Sequence, residues 1–287
     1  MTKCIDTHIH IWDLERAEYA WLKNDTSILN QTYTIDQLDP YISKANIAQG
    51  ILVQASNNLD DTNLMLEVAA KTDWIAGVVG WLPLTNPKET LKILTERYLD
   101  NQYFKGCRHL IHNEPDPQWL LQDSVMESLK ILASYQIPYD IVGINTDHLQ
   151  TTIKVAEKLP ELKMILDHLN QPPIASKEKF GQWGDLIKEI SQHQNVYAKI
   201  SGLGTAAGNG YHWTKYDLLP YVMYALNCFG SDRCVCGGDW PVSLLAGTYE
   251  KTWRTYQEII TEELTKEEQE KVLCKNAILF YHLSHSS

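Results

Sequence analysis

Basic residues are scarce in this sequence, and long apolar runs are missing. Its 25 lysines and arginines stand against 36 aspartates and glutamates, so the formal net charge is −11 at pH 7. Proteins that bind nucleic acid or anionic membranes need a basic face that neutralises phosphates, so neither is an expected partner. The first residues lack the apolar core of a secretory signal, and no later stretch approaches the ~18 apolar residues of a membrane span. We therefore expect a cytoplasmic protein.

Cysteines are few and scattered, and no flexible linker divides the chain. In a sequence without a secretory signal, the six cysteines are expected to be buried thiols rather than disulfides. Cys234 and Cys236 lie two positions apart, but one C-x-C pair is a weak indication of zinc. No tract rich in Gly, Ser or Pro and no internal repeat is present. Because 287 residues suit the usual length of one barrel, residues 1–287 are interpreted as one domain.

Short β-rich runs alternate with longer amphipathic runs from one end of the chain to the other. This alternation is typical of parallel βα units. Eight units predict a (β/α)8 TIM barrel, an α/β fold whose active site lies at the carboxyl ends of the strands. The predicted strands are 4–10, 50–55, 75–81, 104–111, 139–144, 164–168, 196–201 and 233–238.

The amphipathic runs between these strands predict the connecting helices. Asn86 followed by Pro87 is typical of a helix start, with an N-cap residue and a proline in the first turn. The stretch 249–283 predicts two final helices that close the ring. The other predicted helices are 61–71, 87–101, 125–135, 151–159, 177–193 and 216–229.

Two connections, 13–31 and 202–214, are long. In a barrel they would follow strand ends and overhang the active site. Their aromatic residues either line a pocket or pack the loops against the barrel, and the sequence is consistent with both interpretations. The aromatic residues in and beside these loops are Trp12, Tyr19, Trp21, Tyr211 and Trp213.

Four polar residues lie at the ends of three predicted strands. His8 and His10 are two positions apart, so both rings project to one face, where two imidazoles can share a metal ion. His168 ends the sixth strand and Asp239 ends the eighth. Each also has a structural reading, such as a buried histidine or a turn cap at Asp239. Because strands one and eight are neighbours in a closed barrel, we expect His8, His10 and Asp239 to meet.

Charged residues also lie in the fourth and seventh predicted strands. Arg108 and His109 are successive, so they face opposite ways unless the strand has already ended. Arg108 is either a clamp for a substrate oxyanion or carboxylate, or one half of a structural ion pair. Lys199 has the same two readings, and a third in which it reaches past the barrel rim.

Five motifs follow one another in a fixed order over nearly the whole chain. They are Ile5-Asp6-Thr7-His8-Ile9-His10-Ile11-Trp12-Asp13, Gly106-Cys107-Arg108-His109, Asp167-His168 with Pro172, Lys199-Ile200-Ser201-Gly202-Leu203, and Phe229-Gly230-Ser231-Asp232-Arg233 leading to Gly238-Asp239-Trp240-Pro241-Val242. With them, the chain resembles the amidohydrolase-related (amidohydrolase 2) proteins of the amidohydrolase superfamily. These metal-dependent TIM-barrel hydrolases include sugar lactonases such as L-fuconolactonase and L-rhamnonolactonase.

The resemblance implies hydrolysis of a lactone, with a sugar-acid lactone as the first expectation. Asp239 would deprotonate the attacking water, while other polar groups would polarise the carbonyl. The implied polarising residues are His168, Arg108, His109 and Lys199. One divalent metal ion, zinc first, would bind His8, His10, His168 and Asp239, although some members of the group need no metal. The side chains expected to contact the substrate are Trp12, Gln54, Trp81, Arg108, Lys199 and Trp240.

The sequence departs from the binuclear amidohydrolases. These relatives carry a bridging lysine or glutamate on strand four and a metal-binding histidine on strand five. Here strand four offers Arg108 and His109, and strand five offers only Asp140 as a charged group. A binuclear metal centre is therefore not expected.

Other functions stay open at this point. One is hydrolysis of a carboxylated lactone from aromatic degradation, which Arg108, His109 and Lys199 in one pocket would favour. Another is metal-dependent nonoxidative decarboxylation, which carbon dioxide release would reveal. The non-enzyme alternative is a catalytically inactive ligand-binding barrel. The sequence indicates neither the ring size of the substrate nor whether the protein is a monomer or a homo-oligomer.

Overall fold

Eight parallel strands pair in sequence order in the computed structural model, which describes residues 3–284. Helices lie between the strands, so the predicted TIM barrel is confirmed. The strands are β1 (Cys4–Ile9), β2 (Ile47–Val53), β3 (Ile75–Gly80), β4 (Phe104–His109), β5 (Tyr139–Ile141), β6 (Met164–Leu166), β7 (Val196–Ile200) and β8 (Cys234–Cys236).

Each strand ends one to three residues before its predicted end. His168 and Asp239 were predicted inside or directly after strands, but both have left-handed backbone conformations, with φ of 54° and 55°. A left-handed residue cannot continue a strand. The chain therefore leaves the sheet where its polar side chains enter the mouth of the barrel.

The helices follow the predicted order with shifted boundaries. Asn86 caps the helix that starts at Pro87, as predicted, by accepting a hydrogen bond from the Glu89 amide. The helices are α1 (Asp39–Ile42), α2 (Leu59–Ala69), α3 (Pro87–Ile93), α4 (Asp123–Ser134), α5 (Thr146–Lys158), α6 (Gly181–Ile190), α7 (Leu203–Ala206), α8 (Lys215–Phe229), α9 (Tyr249–Glu263), α10 (Lys266–Glu270) and α11 (Asn276–Phe280). None of those within residues 3–284 is long and apolar enough to cross a membrane.

Two predicted helix boundaries were wrong for local reasons. Helix α5 starts at Thr146, five residues before the predicted start, because its first turn is polar and shows no apolar period. The start of α5 is marked by its N-cap residue Asn145, whose side chain accepts a hydrogen bond from the His148 amide. Helix α3 ends at Ile93, and a wider π-helical turn, Leu94–Tyr98, continues the predicted helix.

A buried carboxylate joins β1 to the segment after β8 and so closes the barrel. Oδ1 of Asp6 accepts hydrogen bonds from the His8 amide at 2.9 Å and the Gly238 amide at 2.8 Å. Its Oδ2 accepts from Tyr249 Oη at 2.8 Å and from Trp253 Nε1 at 3.1 Å. All four donors thus converge on one fully buried side chain. Two of these donors are the backbone amides of His8 and of Gly238, which directly precedes Asp239. The Asp6 carboxylate therefore sets the position of His8 relative to Asp239.

Apolar residues form an outer core between strands and helices and a smaller core inside the barrel. The inner core combines residues of five strands with Phe280 and Tyr281, both fully buried. The chain after β8 therefore returns to fill the barrel. The strand residues of the inner core are Ile5, Ile51, Val53, Val79, Ile165 and Val235.

Candidate active site

Two histidines of the β1 segment meet an aspartate that follows β8. The Nε2 atoms of His8 and His10 are 3.1 Å apart. Oδ1 of Asp239 lies 3.5 Å from Nε2 of His10 and 3.7 Å from Nε2 of His8. One ligand atom from each residue lies within 4.8 Å of the others, and all three side chains are buried. The three residues therefore form the cluster that the position of β1 beside β8 predicts.

The two imidazoles are oriented to bind a single cation. Nδ1 of His10 lies 2.7 Å from the carbonyl oxygen of Val53 and donates its proton there, so the Nε2 lone pair faces His8. Burial lowers the pKa of both rings, most strongly that of His8, and keeps them neutral. Neutral imidazoles and a carboxylate are ligands that zinc prefers, and three protein ligands leave a position for water. The donor set therefore fits one divalent metal ion.

His168 reaches Asp239 from the end of β6 through a left-handed stretch. Residues 168–171 all have φ between 50° and 54°. This conformation costs about 1–2 kcal/mol for each residue other than glycine. Nδ1 of His168 lies 2.8 Å from Ser201 Oγ, and Nε2 lies 3.9 Å from Oδ1 of Asp239. Backbone strain is therefore concentrated where this ring enters the site.

Gly202, directly after β7, leaves room for both His168 and Asp239. Its φ is 62°, which favours glycine. A Cβ atom there would lie 2.6 Å from Nδ1 of His168 and 3.0 Å from Oδ2 of Asp239. Both contacts are too close. Any larger residue at this position would displace the two side chains.

A buried network of charges lies behind the histidines. Nζ of Lys199 is 2.6 Å from Oδ2 of Asp140 and 2.8 Å from Oδ1 of Asp167. Nη1 of Arg108 is 2.9 Å from Oδ2 of Asp167. Nδ1 of His8 is 3.4 Å from Asp167 and 3.3 Å from the lysine ammonium. The network therefore connects residues from β4, β5, the end of β6 and β7 to His8, one of the candidate metal ligands.

The two carboxylates of this network have opposite pKa shifts. Burial acts to raise the pKa of Asp167, but Lys199, His8 and Arg108 outweigh it and hold that pKa well below the usual range. Burial dominates at Asp140 and raises its pKa to about 6. Burial also acts to lower the pKa of Lys199, and the two carboxylates reverse that effect and raise it. The lysine therefore stays protonated between them.

Lys199 does not contact the cavity where a substrate would bind. Its side chain is fully buried and pairs with two aspartates. Lys199 was expected at the substrate, and the structure places it beside Asp167 and His8 instead. The physical reason is that a buried ammonium needs carboxylate partners, which Asp140 of β5 and Asp167, directly after β6, provide.

A cavity of about 290 Å³ opens above the histidines and Asp239. This volume suits a ligand of monosaccharide size. Trp12 and Trp21 form one wall, with their rings edge to face and 5.4 Å apart. The lining residues are His10, Trp12, Trp21, Ala55, Arg108, Leu110, His112, Val142, Ile144, His168, Gln171, Gly202, Thr205, Ala206, Asp239 and Val242.

Neither His109, which was expected to polarise the carbonyl, nor Trp81, which was expected to contact the substrate, lines this cavity. Nδ1 of His109 accepts a hydrogen bond of 3.0 Å from Trp81 Nε1, and Nε2 lies 2.7 Å from Glu114 Oε1. The ring stacks on Trp119 at 4.0 Å. Because successive residues of β4 face opposite ways, Arg108 enters the cavity and His109 packs behind it.

Gln54 and Trp240, which were also expected to contact the substrate, do not line this cavity. Gln54 is fully buried and donates a 3.1 Å hydrogen bond to the carbonyl oxygen of Arg108, whose guanidinium bonds in turn to the Gln54 carbonyl. Trp240 packs edge to face against Tyr33 at 5.4 Å and lines a separate surface cavity. Both residues support neighbours of the site. Of the expected substrate contacts, Trp12 and Arg108 line the cavity.

Several residues of the site were missed from the sequence. Asp140 and Asp167 lay in predicted strands, and the rule that buried charges need partners would have paired them with Lys199. Gly202 and Ser201 stood in a quoted motif, but their roles depend on the position of His168. His112 lies in the short turn Ile111–Asn113 after β4, where no periodicity marks it.

The fold and the site define a class: a TIM-barrel enzyme whose His-x-His pair and aspartate can hold one metal ion. The family model of the amidohydrolases matches residues 5–283. The chain therefore belongs to the amidohydrolase family and is a hydrolase, as the sequence motifs indicated.

Two relatives and one solved structure are similar over most of the chain. The L-fucono-1,5-lactonase of Burkholderia ambifaria is 28% identical over 291 residues, covering 100% of this chain and 98% of the relative. A lactonase of the same name from Burkholderia multivorans is 27% identical over 265 residues, covering 86% and 85%. A crystal structure of an amidohydrolase from Burkholderia multivorans with bound zinc has a TM-score of 0.89 at 26% identity, covering 98% of this chain and 99% of that chain.

Proposed function

We propose that this protein hydrolyses the lactone of a sugar acid, with Asp239 as general base. The observation that carries the proposal is the cluster of His8, His10 and Asp239, of which His10 and Asp239 line a cavity of monosaccharide size. Similarity to L-fucono-1,5-lactonases over the full chain supports the same substrate class.

The chemistry requires a base, a polarised carbonyl and a proton for the leaving oxygen. Asp239 accepts a proton from water, and the water oxygen attacks the lactone carbonyl carbon. The Arg108 guanidinium donates to the oxyanion that forms. The ring C–O bond then breaks, Asp239 returns its proton to the alkoxide, and the product is a hydroxy acid that acidifies the solution. His168, 3.9 Å from Oδ1 of Asp239, orients the carboxylate.

We infer that His8, His10 and Asp239 hold one zinc ion, with His168 as the nearest candidate for a fourth ligand. A relative of similar fold binds zinc. When bound, such an ion lowers the pKa of a water ligand and polarises a carbonyl oxygen. The hydrogen bond from His10 to the Val53 carbonyl orients its Nε2 for this role.

The charge of the cavity favours a neutral lactone over a carboxylated one. Among the lining residues in the described part of the chain, Arg108 is the one permanent cation, and its guanidinium is paired with Asp167. Burial and the nearby Arg108 lower the pKa of His112 to about 4, so this ring is neutral at pH 7. Apart from the proposed metal ion, a substrate carboxylate would find only this paired guanidinium among the lining residues, which also disfavours decarboxylation of an aromatic acid. The aromatic wall of Trp12 and Trp21 suits the apolar face of a sugar ring.

The test is proton release from a panel of aldonolactones and carboxylated lactones in weakly buffered indicator solution. Wild-type protein should acidify the aldonolactones faster than spontaneous hydrolysis. Asp239→Asn should reduce the rate by about 10²- to 10⁴-fold, the usual contribution of a general base. The exposed Asp100→Asn variant is the matched control and should retain the wild-type rate.

Three other outcomes would contradict the proposed base, the substrate class or the reaction. Full turnover by folded Asp239→Asn protein would refute the assignment of the base. Acidification of carboxylated lactones alone would replace the substrate class. Release of carbon dioxide from aromatic acids, without lactone hydrolysis, would identify a decarboxylase.

A further inference from the structure

Three buried polar atoms of residues that line the cavity have no protein partner among residues 3–284. One is Oγ1 of Thr205, and the other two are Nε of Arg108 and Nδ1 of His112. Arg108 lies in β4, and His112 lies in the short turn that follows this strand. An unpaired polar atom that is shielded from water weakens the fold, so several of them in one cavity indicate that a ligand completes their hydrogen bonds.

The His112 ring can only accept a hydrogen bond at Nδ1. The backbone carbonyl of Val142 interacts with this ring, and because Nδ1 has no partner we assign the interaction to the other nitrogen, which then carries the proton. Burial, with a contribution from Arg108, lowers the pKa of the ring to about 4, so it does not become a second donor at pH 7. A donor from the ligand is therefore required, and an aliphatic hydroxyl is the donor that a sugar lactone offers.

The Arg108 guanidinium offers one uncommitted donor. Nη1 donates to Asp167, and Nη2 donates to the carbonyl oxygen of Gln54. Nε–H has no partner, and the side chain is 3% exposed. An acceptor oxygen of the ligand, such as the lactone carbonyl, would satisfy it.

We propose that His112 determines substrate specificity by accepting, at Nδ1, a hydrogen bond from one hydroxyl group of the lactone, while Arg108 Nε–H donates to a neighbouring ligand oxygen. The proposal rests on the lactonase function above and adds to it the hydroxyl preference. A lactone without that hydroxyl would leave the buried Nδ1 unpaired. Such sites reject the deoxy analogue more strongly than a purely apolar pocket rejects an analogue of changed size.

The experiment compares kcat/KM for an aldonolactone and for its 2-, 3- and 4-deoxy analogues. Wild-type protein should disfavour one deoxy analogue by about 10- to 100-fold relative to the parent lactone. His112→Phe keeps a ring of similar size but removes the acceptor. In this variant, kcat/KM for the parent lactone and for that deoxy analogue should therefore agree to within about threefold. His112→Asn restores an acceptor and should recover part of the preference. The exposed His212→Phe is the control and should discriminate like the wild type.

Circular dichroism and the thermal midpoint establish that each variant is folded. An unchanged preference in folded His112→Phe, or no preference in the wild type, overturns the role of His112 and leaves the lactonase proposal standing. If the wild type hydrolyses no lactone of the panel, both proposals fail. The two failures are therefore distinguishable.

Discussion

Replacing Lys199 by methionine removes the cation that separates two buried carboxylates. The ammonium lies 2.6 Å from Asp140 and 2.8 Å from Asp167, and all three side chains have no solvent exposure. Methionine has nearly the same length but no charge. The variant therefore leaves Asp140 without a cationic partner, while Asp167 retains Arg108 at 2.9 Å.

The size of the loss follows from these distances. At an effective dielectric constant of about 20, each of the two ion pairs has an attraction of about 6 kcal/mol. The cost of removing the charges from water offsets much of this attraction, and loss of one partner of a buried pair costs about 3–5 kcal/mol. We expect Lys199→Met to lower the free energy of unfolding by that amount. Activity should also fall, because Asp167 and Lys199 both contact His8.

A double-mutant cycle with Asp140→Asn tests the cause. Asparagine removes the unpaired charge and can still accept the 2.7 Å hydrogen bond from Tyr281 Oη. The double variant should therefore be more stable than the sum of the single losses by about 1–3 kcal/mol. Equilibrium urea unfolding of the four proteins measures this coupling, and exposed Lys130→Met is the control. Losses that add to within ~0.5 kcal/mol would refute the electrostatic account.

Two further predictions concern pH and metal. Burial raises the pKa of Asp61 from 3.8 to about 6, so its contribution to stability is present below pH ~4 and lost as pH rises through about 6. Wild-type stability relative to Asp61→Asn should therefore fall by up to about 3 kcal/mol between about pH 4 and pH 7 in urea unfolding, and a parallel pair of curves would contradict it. Zinc added to chelator-treated protein should raise the free energy of unfolding by about 2.7 kcal/mol at a hundredfold excess over Kd. His10→Ala should abolish that gain in calorimetry, and metal analysis that finds no stoichiometric zinc in the loaded wild type would exclude the proposed ligand set.

The comparisons with known proteins and the geometry of the cavity support different conclusions. The amidohydrolase family and the barrel follow from matches along nearly the whole chain. The lining of the cavity, with one paired arginine and a neutral histidine, is known from the positions of this chain's own side chains. The substrate proposal therefore depends on the cavity as much as on the relatives.

Local patterns were enough to predict the eight βα units and the strand ends that hold the polar residues. Apolar runs and capping residues act within a few positions, so their effect can be read without the fold, as at Asn86. The pairing of His8 and His10 with Asp239 also followed, because closure of a barrel makes the first and last strands neighbours.

Tertiary structure alone decided which polar side chains enter the cavity. Lys199 turns to Asp140 and Asp167 because a buried ammonium needs counter-charges, and these lie on β5 and directly after β6, distant from Lys199 in the sequence. The left-handed conformations of His168 and Asp239 depend on contacts that no short window of sequence contains. The sequence by itself determined the secondary-structure elements and the location of the site. The orientation of each charged side chain depended on partners that only folding brings within a few ångströms.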